Sequence, residues 1–227
     1  MKKYIKLLFI GNSHTYKNYV PGIVKDLFAS VGVDVHATAL VEGGKCLGFH
    51  ADRRETGFNI LWGDYDYIIL QGRGSEFDPE AYLEGGRKLY EKYISKTTAK
   101  PILYMVWSDK GQWEPQPVRE ATHRAFAEEI GADVAPAGSV WQEILRRRPA
   151  PELYQEDHNH ANPIGSYIAA CTIFYAITGK TRAISLTEGG EPHTRLGIDP
   201  ALAAAIQSSA CRITRTFNAS LHKVEQD

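Results

Sequence analysis

The sequence predicts a doubly wound α/β fold with a mostly parallel central sheet. Three runs of residues are apolar on both faces, as central strands of a parallel sheet are. Segments with helical periodicity lie between these runs. Polar residues suited to chemistry follow the strand ends, where ligands bind in open α/β sheets. The chain has 227 residues, enough for one large core, and we predict a single domain over residues 1–227.

Five strands are predicted from the apolar runs. The central ones are Lys6–Ile10, Tyr67–Leu70 and Ile102–Val106. The run Val33–Leu40 alternates between apolar and polar residues, which is typical of a strand nearer the edge. A short strand over Asp133–Pro136 is expected to end at its proline.

Helical segments are predicted between and after the strands. They are Pro21–Val31, Tyr82–Tyr93, Pro117–Glu129, a patch that runs through Arg148, Pro163–Thr178 and Pro200–Phe217. Prolines at the starts of several segments suit the first turn of a helix. The segment that begins at Pro163 is followed by Gly179, and we expect it to be amphipathic. Its apolar face is predicted to comprise Ile164, Tyr167, Ile168, Cys171 and Tyr175.

Composition excludes several classes of protein. Lysine plus arginine number 26 and aspartate plus glutamate 27, so the near-zero net charge disfavours a nucleic-acid binder. Three cysteines, Cys46, Cys171 and Cys211, are far apart and odd in number. They predict no disulfide framework, and a cytoplasmic location fits best. The apolar run before Gly11 is too short for a signal peptide, and no run suits a membrane span.

Two distant segments together supply a serine, a histidine and an aspartate. The first predicted strand runs into residues 11–13, with the sequence Gly-Asn-Ser. A serine at a strand end can project its hydroxyl above the sheet, where a nucleophile is useful. Residues 157–160, with the sequence Asp-His-Asn-His, offer a carboxylate and an imidazole. These are the parts of an acyl-transfer enzyme, although Gly-Asn-Ser by itself also fits a plain turn.

The order of these motifs resembles that of the SGNH hydrolases, also called GDSL-type esterases. That family has a Gly-Asp-Ser motif after its first strand and an Asp-x-x-His motif before its last helix. Here Asn12 replaces the aspartate of the first motif, and residues 157–160 match the second. A Gly-x-Ser-x-Gly motif, typical of ordinary α/β-hydrolases, is absent from the sequence. The resemblance extends over about residues 6–179 and implies a flavodoxin-like three-layer α/β/α sandwich that hydrolyses esters.

The resemblance also implies roles for individual residues. Ser13 would be the nucleophile, His160 the general base and acid, and Asp157 the carboxylate that orients the imidazole. No cofactor or metal is implied. Ser13 N–H would be one oxyanion donor, and a glycine after the second strand would be another, with Gly44 preferred to Gly43.

The third oxyanion donor of the family is an asparagine in a Gly-x-Asn-Asp motif, and this sequence departs from that pattern. The motif would fall at residues 72–75, where the sequence is Gly-Arg-Gly-Ser. Gln71 lies at the strand end immediately before. We expect its longer amide side chain to replace the missing asparagine.

The predicted substrate is a small acyl ester, and an O-acetylated carbohydrate is favoured by analogy with the family alone. His14, Arg73, Trp107 and His158 are the candidates for substrate contact. The sequence gives no indication of the oligomeric state.

Two alternatives remain open from the sequence. In a metal-dependent hydrolase, His158 and His160 would be ligands, with Asp157 or Glu156 beside them. The predicted strand ends offer serine, glycine, glutamine and tryptophan rather than further ligands, which disfavours this reading. A carbohydrate-binding relative that has lost activity is supported by the altered third motif.

Overall fold

A computed structural model describes residues 4–179 and 192–222, and its centre is a sheet of parallel strands. The strands are β1 (Tyr4–Gly11), β2 (Asp34–Val41), β3 (Tyr67–Gln71), β4 (Lys100–Tyr104) and β5 (Asp133–Ala135). Their order in space is β2-β1-β3-β4-β5. The chain therefore starts in the middle of the sheet and extends it in both directions, as a doubly wound fold does.

Helices cover both faces of this sheet. They are α1 (Ser13–Tyr16), α2 (Val20–Ala29), α3 (Leu47–Ala51), α4 (Arg54–Trp62), α5 (Pro79–Lys92), α6 (Pro115–Ile130), α7 (Ala137–Leu145), α8 (Pro163–Thr178), α9 (Pro192–Arg195) and α10 (Pro200–Leu221). Residues of β1 alternate between two cores: Leu7 and Phe9 pack with α2 and α8, whereas Leu8 and Ile10 pack with α3 and α5. Alternate side chains of a strand point to opposite faces, so the three-layer α/β/α prediction is confirmed.

The strand predictions are confirmed with small shifts. Strands β1, β3 and β4 are internal and β2 lies at an edge, as their apolar patterns indicated. The fourth strand occupies Lys100–Tyr104 rather than Ile102–Val106. Its partner β3 ends at Gln71, directly opposite Tyr104, so the ladder between the two strands stops there.

The segment Pro163–Thr178 forms a helix with the predicted bounds. The Asn162 side chain accepts a hydrogen bond from Gly165 N–H at 3.0 Å at its start, and Gly179 ends it with a φ of 57°. The prediction of a single apolar face was wrong, because residues 165–176 are all buried. Helix α8 lies between α2, α7, α10 and the sheet, and its polar positions are few.

The sequence did not predict the short helices between β2 and β3. Helices α3 and α4 span five and nine residues and lack a strong apolar periodicity. Helix α5 begins earlier than expected because Asp78 caps it and Pro79 occupies its first turn. The C-terminal helix also extends four residues beyond the predicted end, to Leu221. In the described ranges, none of the helices is both long and apolar enough to cross a membrane.

Candidate active site

Three predicted residues from distant parts of the chain meet at the carboxyl edge of the sheet. Ser13 is the first residue of α1, directly after β1, and His160 lies just before α8. The His160 Nε2 atom lies 2.8 Å from Ser13 Oγ. On the other side of the ring, His160 Nδ1 lies 2.6 Å from Asp157 Oδ2. The arrangement is a continuous hydrogen-bonded chain from a hydroxyl through an imidazole to a carboxylate.

The Asp157 carboxylate fixes which nitrogen of His160 carries the proton. Partial burial alone would raise the pKa of Asp157, but hydrogen bonds from the His160 ring and from two main-chain N–H groups hold it well below its usual range. These N–H groups are those of Asn159, at 3.1 Å, and of His160, at 2.9 Å. An ionised carboxylate only accepts hydrogen bonds. Nδ1 therefore donates to it, and the Nε2 lone pair faces the Ser13 hydroxyl.

Several neighbours hold the loop at residues 157–160 in place through contacts that the sequence did not indicate. Trp107 Nε1 donates to the Asn159 carbonyl at 2.9 Å. The Asn159 side chain donates to Ser75 Oγ at 2.6 Å and also to a carboxylate oxygen of Asp109. Asp109 and Ser75 follow β4 and β3, and this position after strand ends was the available signal. These contacts to Asn159 fix the loop that carries the His160 imidazole.

Asn12 connects three loops around the nucleophile. Its side-chain oxygen accepts a hydrogen bond from His14 N–H at 3.1 Å and so caps α1. Its side-chain nitrogen donates to the carbonyls of Lys45, at 3.0 Å, and Gly72, at 3.3 Å. A carboxylate could not donate either bond. This geometry explains why asparagine stands where the SGNH motif has aspartate.

The prediction that Gln71 is an oxyanion donor was wrong. Its side chain is fully buried, and its oxygen accepts hydrogen bonds from Asn12 N–H at 2.8 Å and Thr15 Oγ1 at 2.9 Å. Its nitrogen donates to the Gly72 carbonyl. Both ends of the amide are thus occupied beneath the Ser13 turn. A Cβ on Gly11 would lie 2.6 Å from the Gln71 oxygen, so the close approach of this amide requires a glycine there.

The glycines after β2 form an exposed turn beside the serine. Lys45 N–H donates to the Glu42 carbonyl at 3.2 Å, which makes Gly43 and Gly44 the central residues of the turn. Gly44 has a φ of 70°, in the left-handed region that favours glycine. Because Asn12 bonds to Lys45, this turn is fixed next to α1. The assignment of Gly44 or Gly43 as the second oxyanion donor stays a prediction.

Of the four candidates for substrate contact, Trp107 and His14 are buried, whereas Arg73 and His158 lie at the surface. Trp107 is 1% exposed and stacks on Trp141 with ring centroids 3.8 Å apart. The prediction that Trp107 contacts substrate was therefore wrong, because its ring belongs to the core. Arg73 is exposed and forms an ion pair with Glu76 at 2.9 Å. His158 is also exposed, and its contact with substrate stays a prediction, as does that of Arg73.

His14 is buried between His160 and the loop at residues 72–75. Its ring stacks on that of His160 with centroids 4.9 Å apart and meets the Trp107 ring edge-on at 5.4 Å. Burial, followed by the charges of His160 and Arg119, lowers the pKa of His14 to about 3. The His14 imidazole is therefore neutral at neutral pH.

The third loop, residues 72–75, is held from beneath by a buried arginine of α6. Arg119 is 2% exposed and donates to the carbonyls of Arg73, at 3.0 Å, and Gly74, at 2.6 Å. Burial lowers the pKa of Arg119 to about 10, so the guanidinium remains charged at neutral pH. A Cβ added at Gly74 would lie 2.0 Å from His14 Nε2. No side chain fits at position 74 while His14 keeps its place.

The ligands required by a metal-dependent hydrolase do not assemble here. Within residues 4–179 and 192–222, no three histidine, cysteine or acidic side chains are grouped closely enough to hold a metal ion. Both ring nitrogens of His160 are also engaged, with Ser13 and Asp157.

Comparisons with known proteins identify the fold. No family model and no curated protein matches the sequence. A DUF4886 family protein from Bacteroides uniformis is 18% identical, with a TM-score of 0.72 over 92% of this chain and 94% of that one. A mutant of Axe2, an acetyl-xylooligosaccharide esterase from Geobacillus stearothermophilus, is 16% identical, with a TM-score of 0.63 over 84% and 100%. A protein of the G-D-S-L family from Desulfitobacterium hafniense is 15% identical, with a TM-score of 0.56 over 76% and 99%.

The chain has the fold of the SGNH hydrolases. In this SGNH fold, Ser13 follows the first strand and the loop at residues 157–160 precedes α8, which agrees with the order of motifs in the sequence. The departures from the SGNH pattern are Asn12 in the first motif and the missing asparagine in the third. The contacts of Asn12 and Gly74 account for both.

We predict that Asn12→Asp lowers the free energy of unfolding by about 1–3 kcal/mol, because the buried Gly72 carbonyl and the partly buried Lys45 carbonyl lose their donor and face a carboxylate instead. Urea denaturation of the wild-type and variant proteins measures this. Asn59→Asp is the matched control, because the Asn59 side chain also donates to a carbonyl, that of Glu55, at 2.9 Å, but this hydrogen bond is exposed to solvent. Equal losses in the two variants would contradict the role of Asn12.

Proposed function

We propose that this protein is a serine esterase in which Ser13, His160 and Asp157 form the catalytic triad. The proposal is carried by one observation, the hydrogen-bonded chain from Ser13 Oγ through the His160 ring to Asp157. His160 Nε2 takes the hydroxyl proton as Ser13 Oγ attacks the ester carbonyl, and Asp157 stabilises the imidazolium that forms. The same proton then passes from Nε2 to the leaving alkoxide.

Hydrolysis of the acyl-enzyme follows the same path. A water molecule replaces the departed alcohol and gives its proton to His160 Nε2 while its oxygen attacks the acyl carbon. The proton then returns to Ser13 Oγ as the acid leaves. We assign the main-chain N–H groups of Ser13 and Gly44 as two donors to the oxyanion in both steps.

The proposed substrate is an O-acetylated carbohydrate. The similarity to an acetyl-xylooligosaccharide esterase supports this class. Tyr16 lies on the same short helix as Ser13 and is 44% exposed. Its hydroxyl would lie 3.1 Å from a Cβ at Gly43, so the ring borders the proposed oxyanion turn. An exposed aromatic ring at this place suits the apolar face of a sugar.

Binding of acetylated xylooligosaccharides should therefore depend on Tyr16 more than binding of small esters does. We expect Tyr16→Ala to raise KM for these oligosaccharides roughly three- to tenfold through loss of ring contact. KM for p-nitrophenyl acetate should stay within about twofold. Tyr4→Ala is the control, because Tyr4 is 51% exposed and lies at the opposite end of β1. Parallel effects on both substrates would contradict a sugar-binding role for Tyr16.

The decisive test of the proposed function is Ser13→Ala. This variant should fold normally and lose roughly four to six orders of magnitude in esterase rate, because the nucleophile is gone. A panel of p-nitrophenyl esters measures the rate, and mass spectrometry after treatment with a serine-directed phosphonate should locate the label on Ser13.

Two other outcomes distinguish the alternatives. Wild-type protein that neither hydrolyses esters nor reacts with the phosphonate would instead be a binding relative without activity. Activity that is lost on treatment with EDTA and restored by zinc or manganese would favour a metal-dependent mechanism.

The pH dependence of kcat/KM should report the protonation of a single group, His160. A protonated His160 cannot accept the serine proton, so kcat/KM should fall tenfold per pH unit on the acid side of a single ionisation. Asp157 stays ionised there because its pKa is held low, and His14 stays neutral because burial lowers its pKa to about 3. Rates measured between about pH 5 and 9 test this. A slope of two, or a profile that changes in His158→Gln, would count against His160 as the base.

A further inference from the structure

We propose that the neutral ring of His14 supplies the third oxyanion donor through Nε2–H, in the place that the asparagine of the SGNH motif would occupy. This inference rests on the proposed esterase activity. The motif's asparagine corresponds to Gly74 in this sequence, as Gly-x-Asn-Asp falls on residues 72–75.

The His14 ring occupies the space in which an asparagine side chain would begin. A Cβ at Gly74 would lie 2.0 Å from Nε2 and 2.6 and 2.7 Å from its two carbon neighbours in the ring. These distances are far below any contact that a real Cβ tolerates. The His14 imidazole fits because residue 74 is a glycine, and while the imidazole is there an asparagine cannot stand at position 74. Gln71 is not an alternative, since both ends of its amide are bonded beneath the Ser13 turn.

The two nitrogens of His14 have different surroundings. Nδ1 is buried and has no hydrogen-bond partner among the described residues. A buried N–H without an acceptor costs more than a buried lone pair without a donor. The single proton of the neutral ring therefore belongs on Nε2, the nitrogen at the third loop. A neutral imidazole can donate to an oxyanion in this way and can polarise a carbonyl.

The ring is held in position from three sides. It stacks on His160, contacts Trp107 edge-on and lies against Gly74, whose carbonyl Arg119 anchors at 2.6 Å. The main chain of His14 is fixed as well, because Asn12 accepts its N–H and its carbonyl accepts a hydrogen bond from Tyr104 at 3.3 Å. A donor that is fixed before the reaction loses little on meeting the developing charge.

A purely structural role for His14 makes different predictions from a donor role. His14→Phe keeps an aromatic ring for the stack on His160 and removes the donor. We expect its kcat to fall roughly a hundred- to a thousandfold, the usual cost of one oxyanion donor, while KM changes less than about twofold. The affinity for a boronic acid transition-state analogue should fall by a similar factor. A kcat in His14→Phe within threefold of wild type would overturn the proposal.

The strongest test restores the motif's asparagine. His14→Ala makes room at position 74, so the double variant with His14→Ala and Gly74→Asn should recover at least tenfold in kcat over His14→Ala alone. Gly74→Asn by itself should gain nothing, because the wild-type ring blocks the side chain. Thermal melts confirm that each compared protein is folded. If His14→Ala does not fold, the kcat of His14→Phe alone decides the proposal, because a phenyl ring at position 14 would still exclude an asparagine at position 74.

The assays separate failure of this inference from failure of the esterase proposal. If the wild-type protein is active and the serine-directed phosphonate labels Ser13, the serine mechanism is established independently of His14. If that holds while His14→Phe keeps its kcat and the double variant recovers nothing, His14 is not a donor. A wild type without activity or label would instead overturn the esterase proposal itself.

Discussion

The hydrogen bond from Asn12 N–H to the Gln71 side-chain oxygen is the constraint on which the rest of the site depends. In a parallel sheet the strand ends converge at one edge, but nothing in the ladder fixes the loops that follow them. Gln71, at the end of β3, accepts the Asn12 N–H, and Asn12 in turn bonds to Lys45 and Gly72. The loops after β1, β2 and β3 therefore share one buried network. In such a network, an unsatisfied member is costly, so the arrangement is well defined.

Much of this fold follows from sequence patterns. The three inner strands are predictable because burial on both faces requires continuous apolar runs, and α8 is predictable because a proline and a glycine mark its ends. The burial of α8 on all sides was not predictable, because it depends on which helices pack around α8. Likewise, nothing local distinguishes Trp107 at a pocket mouth from Trp107 stacked in the core on Trp141.

The site was predictable where the chemistry imposes residue types at strand and helix ends. Ser13, Asp157 and His160 satisfy that condition. Gln71 was misassigned because an amide after a strand can point above the sheet or beneath a neighbouring turn, and the choice depends on Gly11 and Thr15. Arg119, whose side chain holds the loop at residues 72–75, lies in α6, 45 residues after Gly74 in the chain. Its effect on the third loop required the three-dimensional contacts.

The position of the proposed triad in the chain has a consequence for folding. Ser13 and His160 are separated by 147 residues, and strands β2 to β5 lie between them in the chain. Contacts over such distances form late, because the chain closure they require is unfavourable until other contacts compensate. The contact between Ser13 and His160 should thus form late in folding. A nascent chain that ends before residue 157 would carry Ser13 but neither Asp157 nor His160.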